Sequence, residues 1–189
     1  NTTMSDSCKA VLKTILLTGQ RPSEVIGMAA EEIDGSWWTL PGERTKNNRD
    51  NRVWLTPTVN NLIAKDAPLA FPAPLLDPED DPAPLRRRSV SQALHRAITP
   101  KKLKSDTTKP AAIKITPFTP HDLRRTAATH MAQLGVPEFV VGQVLSHKEQ
   151  TITSIYNRYQ YDKEKKAALV KWERRLLDII GKKAPPAKG

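Results

Sequence analysis

The chain of 189 residues carries 30 lysines and arginines against 20 acidic residues, which gives a formal net charge of +10 at neutral pH. This excess of positive charge favours a polyanionic partner, first nucleic acid and second an anionic membrane surface, over a basic surface that serves solubility alone. The single cysteine, Cys8, excludes an intrachain disulfide and suits a reducing compartment, and no apolar run reaches the roughly 20 residues that a membrane-spanning helix needs.

The first 30 residues predict two helices separated by a tight turn. Apolar residues over 7–19 recur with the spacing of an amphipathic helix, and Gly19 is a plausible end for it. Pro22 suits the first position of a second, short helix. Arg21 is therefore expected in the rigid, partly exposed turn between the two helices.

A small β segment is predicted next. Residues 36–40 are expected to form a strand after an Asp-Gly turn, and residues 43–46 are expected to pair with 51–56 across a turn-rich stretch. The prediction places Lys46 at the end of a strand, beside the hairpin.

The middle of the chain is rich in proline and in basic residues. A helix is predicted over 57–65, and a long loop with six prolines follows over 66–85. That loop has no Gly/Ser linker, so no domain boundary is predicted there. A basic helix over 86–98 and a basic loop over 101–109 complete this part.

The last third is predicted to be helical. The expected helices cover 120–134 and 137–145, then a segment from about 151 that carries Tyr156, and finally 163–180, which has an apolar stripe. The basic tail at 181–189 is expected to be disordered.

The helix that begins at residue 120 has a start suited to an anion. Thr119 can be its N-cap, Pro120 its first residue and Asp122 the acidic partner of a capping box. His121 and Arg124 then share one face near the positive helix end, where amide N–H groups are free. An imidazole, a guanidinium and a positive helix end together suit a phosphate oxyanion.

Other side chains that suit a phosphate recur along the chain. The full set has two guanidiniums, two imidazoles, an ammonium and a phenol: Arg21, Lys46, His121, Arg124, His147 and Tyr156. The sequence shows no carboxylate cluster and no Cys/His cluster beside them, so neither a metal nor a cofactor is predicted.

Each candidate also has an ordinary structural interpretation. Arg21 suits a helix-end cation, Lys46 a solvated hairpin lysine, and His147 a helix cap. Tyr156 has two neighbours, Tyr159 and Tyr161, and any of the three could serve packing. Three further cations near the hairpin could bind a nucleic-acid backbone: Arg44, Arg49 and Arg52.

The order and spacing of these motifs resemble the catalytic domain of the tyrosine recombinases, the phage-integrase family. The resemblance covers about residues 7–180. The motifs are Gly-Gln-Arg-Pro-Ser-Glu at 19–24, Thr45-Lys46-Asn47, His121-Asp122-Leu123-Arg124, Leu145-Ser146-His147, and Tyr156 nine residues after His147. The stretch Tyr156-Asn157-Arg158-Tyr159 resembles the prophage-type integrases. One departure is Ser146, where the family usually has Gly, and the added hydroxyl is expected to be tolerated.

The resemblance implies an α+β, mainly α-helical fold with a small three-stranded antiparallel sheet. It implies a site-specific DNA recombinase that cleaves and rejoins strands through a 3′-phosphotyrosyl intermediate and so supports integration or excision of a mobile element. In this chemistry Tyr156 is the nucleophile, and Lys46 is the general acid toward the 5′-oxygen. The phosphate is held by Arg21, Arg124 and His147, His121 binds it or takes the tyrosine proton, and Glu24 supports the site.

The resemblance also implies an organisation and partners. Residues 1–180 would be the catalytic domain and 181–189 a tail, with the family's N-terminal DNA-binding domains absent from this chain. The partners would be double-stranded attachment sites, and accessory DNA-bending or excisionase proteins are possible. Full-length relatives act as tetramers and often exchange the C-terminal helix, whereas this fragment is expected to be a monomer. The expected location is the cytoplasm, in association with the nucleoid, with no membrane partner.

Two alternatives stay open at this point. A type IB topoisomerase shares this catalytic set but only relaxes supercoils, and the small size of the chain and its prophage-like motif argue against it. A DNA-binding module without catalysis is the other, although no candidate position is substituted.

Overall fold

The structure, a computed structural model, describes residues 4–64, 67–74, 80–102, 108–147, 159–183 and 185. Its helices are α1 (Asp6–Thr18), α2 (Pro22–Ile26), α3 (Pro57–Asn60), α4 (Arg87–Ile98), α5 (Pro120–Gln133), α6 (Glu138–Val144) and α7 (Asp162–Ile179). The strands are β1 (Ile33–Asp34), β2 (Trp37–Leu40), β3 (Asn51–Trp54), β4 (Lys101–Lys102) and β5 (Thr108–Lys109). Short 3₁₀ turns lie at Ala30–Glu32 and Gly42–Arg44.

The strands β1, β2 and β3 form one antiparallel sheet in that order. Trp38 lies opposite Val53 and Leu40 opposite Asn51, which places apolar side chains on the buried face. The prediction of a mainly helical α+β fold with a small three-stranded antiparallel sheet is confirmed.

Helix α1 lies at the centre of the hydrophobic core. Val11 and Ile15 are fully buried, and the helix contacts α2, α5 and α7. The i, i+4 spacing of its apolar residues presents one stripe to these neighbours. Ser5 caps its start, and Gly19 ends it in the left-handed conformation (φ 70°) that glycine adopts without steric cost.

The predicted strand at 43–46 is wrong. Strand β3 pairs with Trp37–Leu40 instead, and the ten residues between them, 41–50, form a loop that contains a 3₁₀ turn. The Thr45 hydroxyl donates to the Gly42 carbonyl (2.9 Å) and accepts from the Arg49 amide (3.1 Å). Gly42 lies so close to the Asn48–Arg49 backbone that an added Cβ would come within 3.0 Å of it. These local contacts fold the loop back on itself in place of an extended strand. We call residues 41–50 the β2–β3 loop.

Two other predicted boundaries differ from the structure. Helix α3 ends at Asn60 and not near 65, because the Ala64 amide donates to the Ala70 carbonyl (3.0 Å) and the chain leaves the helical path. The predicted basic loop at 101–109 contains the short antiparallel pair β4–β5, in which Lys101 lies opposite Lys109.

The apolar stripe of α7 is buried within this chain. Leu169 and Trp172 are each about 1% exposed, and the helix contacts α1, α5, α6 and β3. The indole N–H of Trp172 donates to the Leu16 carbonyl (2.8 Å), and its ring stacks on His130. These contacts cover the stripe within the chain, and exchange of the helix between protomers of the full-length protein stays a prediction.

Two expectations concern residues outside those described. The predicted helix from 151, with Tyr156, lies there, and so does most of the predicted tail. Among the helices that the structure does describe, none combines the length and the apolar character that crossing a bilayer requires.

Candidate active site

The start of α5 has the predicted capping arrangement. The amide and the hydroxyl of Thr119 both donate to the Asp122 carboxylate, at 2.9 and 2.7 Å, and Pro120 is the first helical residue. These hydrogen bonds from Thr119 hold the pKa of Asp122 below its ordinary value. His121 is exposed at this helix start.

Arg124 lies one turn into α5 and is only 4% exposed. Its guanidinium donates to the Gly19 carbonyl and to the Leu145 carbonyl, both at 2.7 Å. These carbonyls lie at the C-terminal ends of α1 and α6, where the helix dipole is negative and carbonyls lack an intrahelical partner. One buried guanidinium thus joins two helix ends and keeps further N–H groups for another ligand.

Arg21 lies in the turn between α1 and α2, as predicted, and is the N-cap of α2. Its guanidinium and its amide both donate to the Glu24 carboxylate, at 2.8 and 2.9 Å. The Glu24 side chain is about 2% exposed and that of Arg21 about 20%, so the carboxylate is buried beneath a guanidinium that reaches the surface. Glu24 therefore orients Arg21.

Arg21, Arg124 and His147 lie near one another, because Arg124 bonds to the Gly19 and Leu145 carbonyls, which stand two residues before Arg21 and His147. Burial, and after it the positive charge of Arg21, lower the pKa of Arg124 to about 10, while the Glu24 carboxylate acts in the opposite direction. Burial also lowers the pKa of His147, and Arg124 and Arg21 add to that effect. A point with two guanidiniums, one carboxylate and a neutral imidazole has a net affinity for an anion.

His147 is placed by the end of α6. The Ser146 amide donates to the Gln143 carbonyl (3.1 Å) and the His147 amide to the Gly142 carbonyl (2.9 Å). This pair of bonds is the Schellman arrangement, in which the residue after the C-cap is left-handed. Ser146 occupies that position with φ 49°. Serine therefore lowers the stability of this turn through its strained backbone, and not through the hydroxyl that distinguishes it from the family's usual glycine.

Replacing Ser146 with glycine is expected to raise the free energy of unfolding by about 1 kcal/mol, because glycine adopts a positive φ without the Cβ clash. Urea unfolding of the two proteins measures the difference. The same change at Ser91, inside α4, is expected to lower stability, because that position is right-handed and helical. A destabilised Ser146→Gly protein would contradict the left-handed assignment.

The lowered pKa of His147 gives a second expected result. An NMR titration is expected to find the His147 midpoint below the ordinary value of 6.5, and Arg21→Gln is expected to raise that midpoint by removing a positive charge. The folded chain then binds this proton less readily than the unfolded chain. The contribution of His147 to the free energy of unfolding is therefore fully present above pH 6.5, and it is lost as the pH falls from 6.5 through the folded pKa. His147→Asn assigns the resonance, and a midpoint unmoved by Arg21→Gln would contradict the placement.

Lys46 lies in the β2–β3 loop and is exposed, in a turn and not at a strand end. Of the three arginines near it, Arg44 donates to the Glu24 carbonyl (3.1 Å) and pairs with the buried Glu32 carboxylate. Arg52 pairs with Asp162 and lies over the Trp37 ring. Arg49 is exposed. Of these three arginines, it alone could contact a nucleic-acid backbone without breaking a side-chain hydrogen bond or ion pair that the structure describes.

Tyr156 lies outside the described residues. Of its two neighbours, Tyr159 is exposed and its hydroxyl donates to the Glu164 carboxylate (3.2 Å). Partial desolvation and the charge of Glu164 raise the pKa of Tyr159, so its hydroxyl ionises less readily. Tyr161 is the N-cap of α7 with φ 53° and stacks edge-on against Tyr159 and Phe139. Both neighbours therefore have packing or capping roles.

The sequence analysis missed two side chains that hold the site together. Gln20 is fully buried, and its amide donates to the Val144 carbonyl (2.7 Å) and accepts from Asn51 (3.1 Å). The Asn47 amide donates to the Ser146 carbonyl (2.6 Å). Gln20 and Asn47 stand next to Arg21 and Lys46 in the motifs named above, and this position is the sequence feature that could have identified them. Within the described ranges, no group of three or more His, Cys, Asp or Glu residues is arranged to hold a metal ion.

The known proteins to which this chain is similar include an integrase and a recombinase. The chain is 27% identical over 174 residues to the prophage integrase IntA of Escherichia coli (strain K12), covering 89% of the chain and 38% of that protein. It is 29% identical over 149 residues to the tyrosine recombinase XerD of Brucella suis biovar 1 (strain 1330), covering 78% of the chain and 46% of that protein. The chain thus spans about half or less of the length of these relatives.

A solved structure shares the fold. The integrase from mycobacterium phage Brujita superposes with a TM-score of 0.62 at 22% identity, over 89% of this chain and 52% of that one. The model of the phage integrase family matches residues 2–163, most of the chain. The chain therefore belongs to the phage integrase family.

Proposed function

We propose that this chain is the catalytic part of a tyrosine-type site-specific recombinase that cleaves and rejoins DNA strands at attachment sites. The observation that carries the proposal is that Arg124 bonds to the carbonyls of Gly19 and Leu145, each two residues before Arg21 or His147. Two guanidiniums and an imidazole from three separate parts of the chain are thereby brought close together. A phosphodiester is the DNA group that fits two guanidiniums and an imidazole.

In the proposed reaction the Tyr156 oxygen attacks the scissile phosphorus, and the bond from phosphorus to the 5′-oxygen breaks. Lys46 protonates the departing 5′-oxygen, and His121 takes the tyrosine proton, since a phenol with a pKa of about 10 needs a base at neutral pH. The products are a 3′-phosphotyrosyl link and a free 5′-hydroxyl. A new 5′-hydroxyl then attacks the phosphorus and gives its proton to Lys46, the bond from phosphorus to the Tyr156 oxygen breaks, and His121 returns a proton to the tyrosine. The phosphodiester is restored without a nucleotide cofactor.

The arginines act on the developing charge. Arg124 is held by two backbone carbonyls and Arg21 by Glu24, so both guanidiniums are oriented before the phosphate arrives. Preorganised donors of this kind lower the barrier because they need no rearrangement in the transition state. His147, neutral because of its lowered pKa, donates one further hydrogen bond to a non-bridging oxygen.

The wider assembly is part of the same proposal. The net charge of +10 and the exposed arginines of α4 supply the sequence-independent, salt-sensitive part of DNA binding. Strand exchange needs four active sites on two paired DNA duplexes, which points to a tetramer of the whole protein and leaves room for accessory DNA-bending proteins. The isolated chain is proposed to be a monomer with weak DNA affinity.

Covalent trapping tests the function. The chain is isolated under denaturing conditions from cells that hold its native genome, and the DNA ends that remain attached are sequenced. A nicked duplex built on the recovered sequence then gives an SDS-resistant adduct in vitro. The adduct is expected for the natural chain, for Tyr159→Phe and for Tyr161→Phe, and not for Tyr156→Phe.

Three outcomes would contradict the proposal. An adduct that persists in Tyr156→Phe would move the nucleophile to another residue. Sequence-specific DNA binding without any adduct would favour a binding module. Relaxation of supercoiled DNA without recombinants from two paired sites would favour a topoisomerase.

A further inference from the structure

The end of α6 is held by side chains from three different parts of the chain. Three consecutive carbonyls, those of residues 144–146, each accept one side-chain hydrogen bond. The donors are Gln20 from the α1–α2 turn, Arg124 from α5 and Asn47 from the β2–β3 loop, with sequence separations of 124, 21 and 99 residues. The turn that carries His147 is therefore oriented from outside α6, because these carbonyls have no partner within the helix.

Asn47 is the member of this group that belongs to the loop of Lys46. Its amide nitrogen is 2.6 Å from the Ser146 carbonyl, a short and direct contact between the lysine loop and the histidine turn. A carbonyl can only accept, so the amide orientation at Asn47 is determined by its partner. The side chain is half-buried, which protects the bond from competing water.

A second anchor lies on the other side of Lys46. Arg44, two residues before it, donates to the Glu24 carbonyl and pairs with Glu32, whose carboxylate also accepts from the indole of Trp38. Arg44 thus ties the loop to the helix that orients Arg21, whereas Asn47 ties it to the turn that orients His147. Lys46 itself is exposed and gains its position from these two neighbours.

From this geometry we infer that Asn47 is a positioning residue. Its bond to the Ser146 carbonyl fixes the position of Lys46 relative to the other three site residues, Arg21, Arg124 and His147. The inference rests on the proposed function, in which Lys46 protonates the departing 5′-oxygen. A general acid must lie within hydrogen-bond distance of the atom that it protonates, and a displacement of about 1 Å can cost about 100-fold in rate. Loss of the bond frees one side of the loop while Arg44 still holds the other.

The test compares two DNA substrates that differ in the leaving atom. The nicked duplex recovered by covalent trapping is made with an ordinary 5′-oxygen or with a 5′-sulfur at the scissile phosphate. A thiolate leaves without protonation, so only the oxygen substrate needs the acid. Lys46→Ala is expected to lose at least about 100-fold in cleavage rate on the oxygen substrate and to approach the natural chain on the sulfur substrate. Asn47→Ala is expected to lose about 10- to 100-fold on oxygen and to be rescued by sulfur in the same way.

The matched control is Asn48→Gly. Asn48 is the next residue, is exposed and has φ 50°, a backbone conformation that glycine also adopts. This variant is expected to cleave both substrates within about threefold of the natural chain, because the Asn47 bond is kept. Thermal unfolding of each variant shows that it is folded under the assay conditions.

The outcomes separate this inference from the proposed function. Rescue of Lys46→Ala but not of Asn47→Ala would overturn the positioning role alone, because a general disturbance slows both substrates equally. Full activity of Asn47→Ala on the oxygen substrate would also overturn it. Rescue of neither variant would remove the acid role from Lys46, and the positioning role with it.

Discussion

Replacing Arg124 with lysine is expected to lower the rate of DNA cleavage by about 1,000-fold and to destabilise the fold by about 2–4 kcal/mol. The two effects have one origin. The guanidinium donates to carbonyls at the ends of two helices, those of Gly19 and Leu145, from a nearly fully buried position. A lysine ammonium is a point charge without the planar fork, so it cannot keep both bonds and still present a donor to a phosphate.

The stability loss follows from the groups left behind. At least one buried carbonyl would lose its partner, which costs about 1–3 kcal/mol, and the lysine would be a buried charge with fewer hydrogen bonds. The cleavage loss follows from the removal of a preorganised donor at the reacting phosphate. Urea unfolding and the rate of adduct formation on the trapped-site duplex measure the two effects.

Arg21→Lys is the comparison variant. Arg21 is more exposed and its partner is the Glu24 carboxylate, which a lysine can also pair with, so its effect on unfolding is expected to be smaller than that of Arg124→Lys. Its effect on cleavage is expected to remain large, because the bidentate geometry is lost. Equal unfolding free energies for the two variants would contradict the joining role assigned to Arg124, and an unchanged cleavage rate for Arg124→Lys would remove it from the proposed site.

Replacing Trp172 with alanine is expected to destabilise the chain by about 3–5 kcal/mol. Trp172 is one of the largest fully buried side chains, stacks on His130 and donates to the Leu16 carbonyl. It joins α7 to both α1 and α5 through these two contacts. Trp172→Phe keeps much of the apolar surface but loses the hydrogen bond and part of the ring volume, so a smaller loss of about 1–3 kcal/mol is expected for it. Urea unfolding measures both.

The same experiment distinguishes packing within the chain from exchange between chains. When α7 packs within its own chain, the unfolding midpoint is independent of protein concentration, whereas exchange would raise the midpoint with concentration. Arg175→Ala, an exposed change on the same helix, is the control and is expected to stay within about 0.5 kcal/mol of the natural chain. A concentration-dependent midpoint, or a Trp172→Ala protein as stable as this control, would contradict the packing of α7 described above.

Much of the local structure follows from short sequence patterns. The 3.6-residue spacing of Val11 and Ile15 predicts α1, and the order Thr119, Pro120, Asp122 predicts the start of α5. Such features depend on neighbours within one helical turn, so the sequence contains all of their partners. The motifs that carry Arg21, Lys46 and His147 were recognisable for the same reason, since their residue order is independent of how the elements pack.

The tertiary structure decides what those patterns leave open. The sequence predicts a strand at 43–46, but these residues belong to the β2–β3 loop, because the bonds of Thr45 and the close approach at Gly42 outweigh the extended preference of the segment. The functions of Gln20 and Asn47 depend on carbonyls more than 90 residues away, and no periodicity contains that information.

His121 and Arg124 show the division most clearly. The sequence by itself determined that an imidazole and a guanidinium stand near the start of one helix, because helix geometry relates residues three apart. Only the tertiary structure decided that His121 is exposed whereas Arg124 is buried between the ends of α1 and α6. The physical reason is that burial and hydrogen-bond partners come from other elements, so the same helix face can present one side chain to solvent and use the other to join the core.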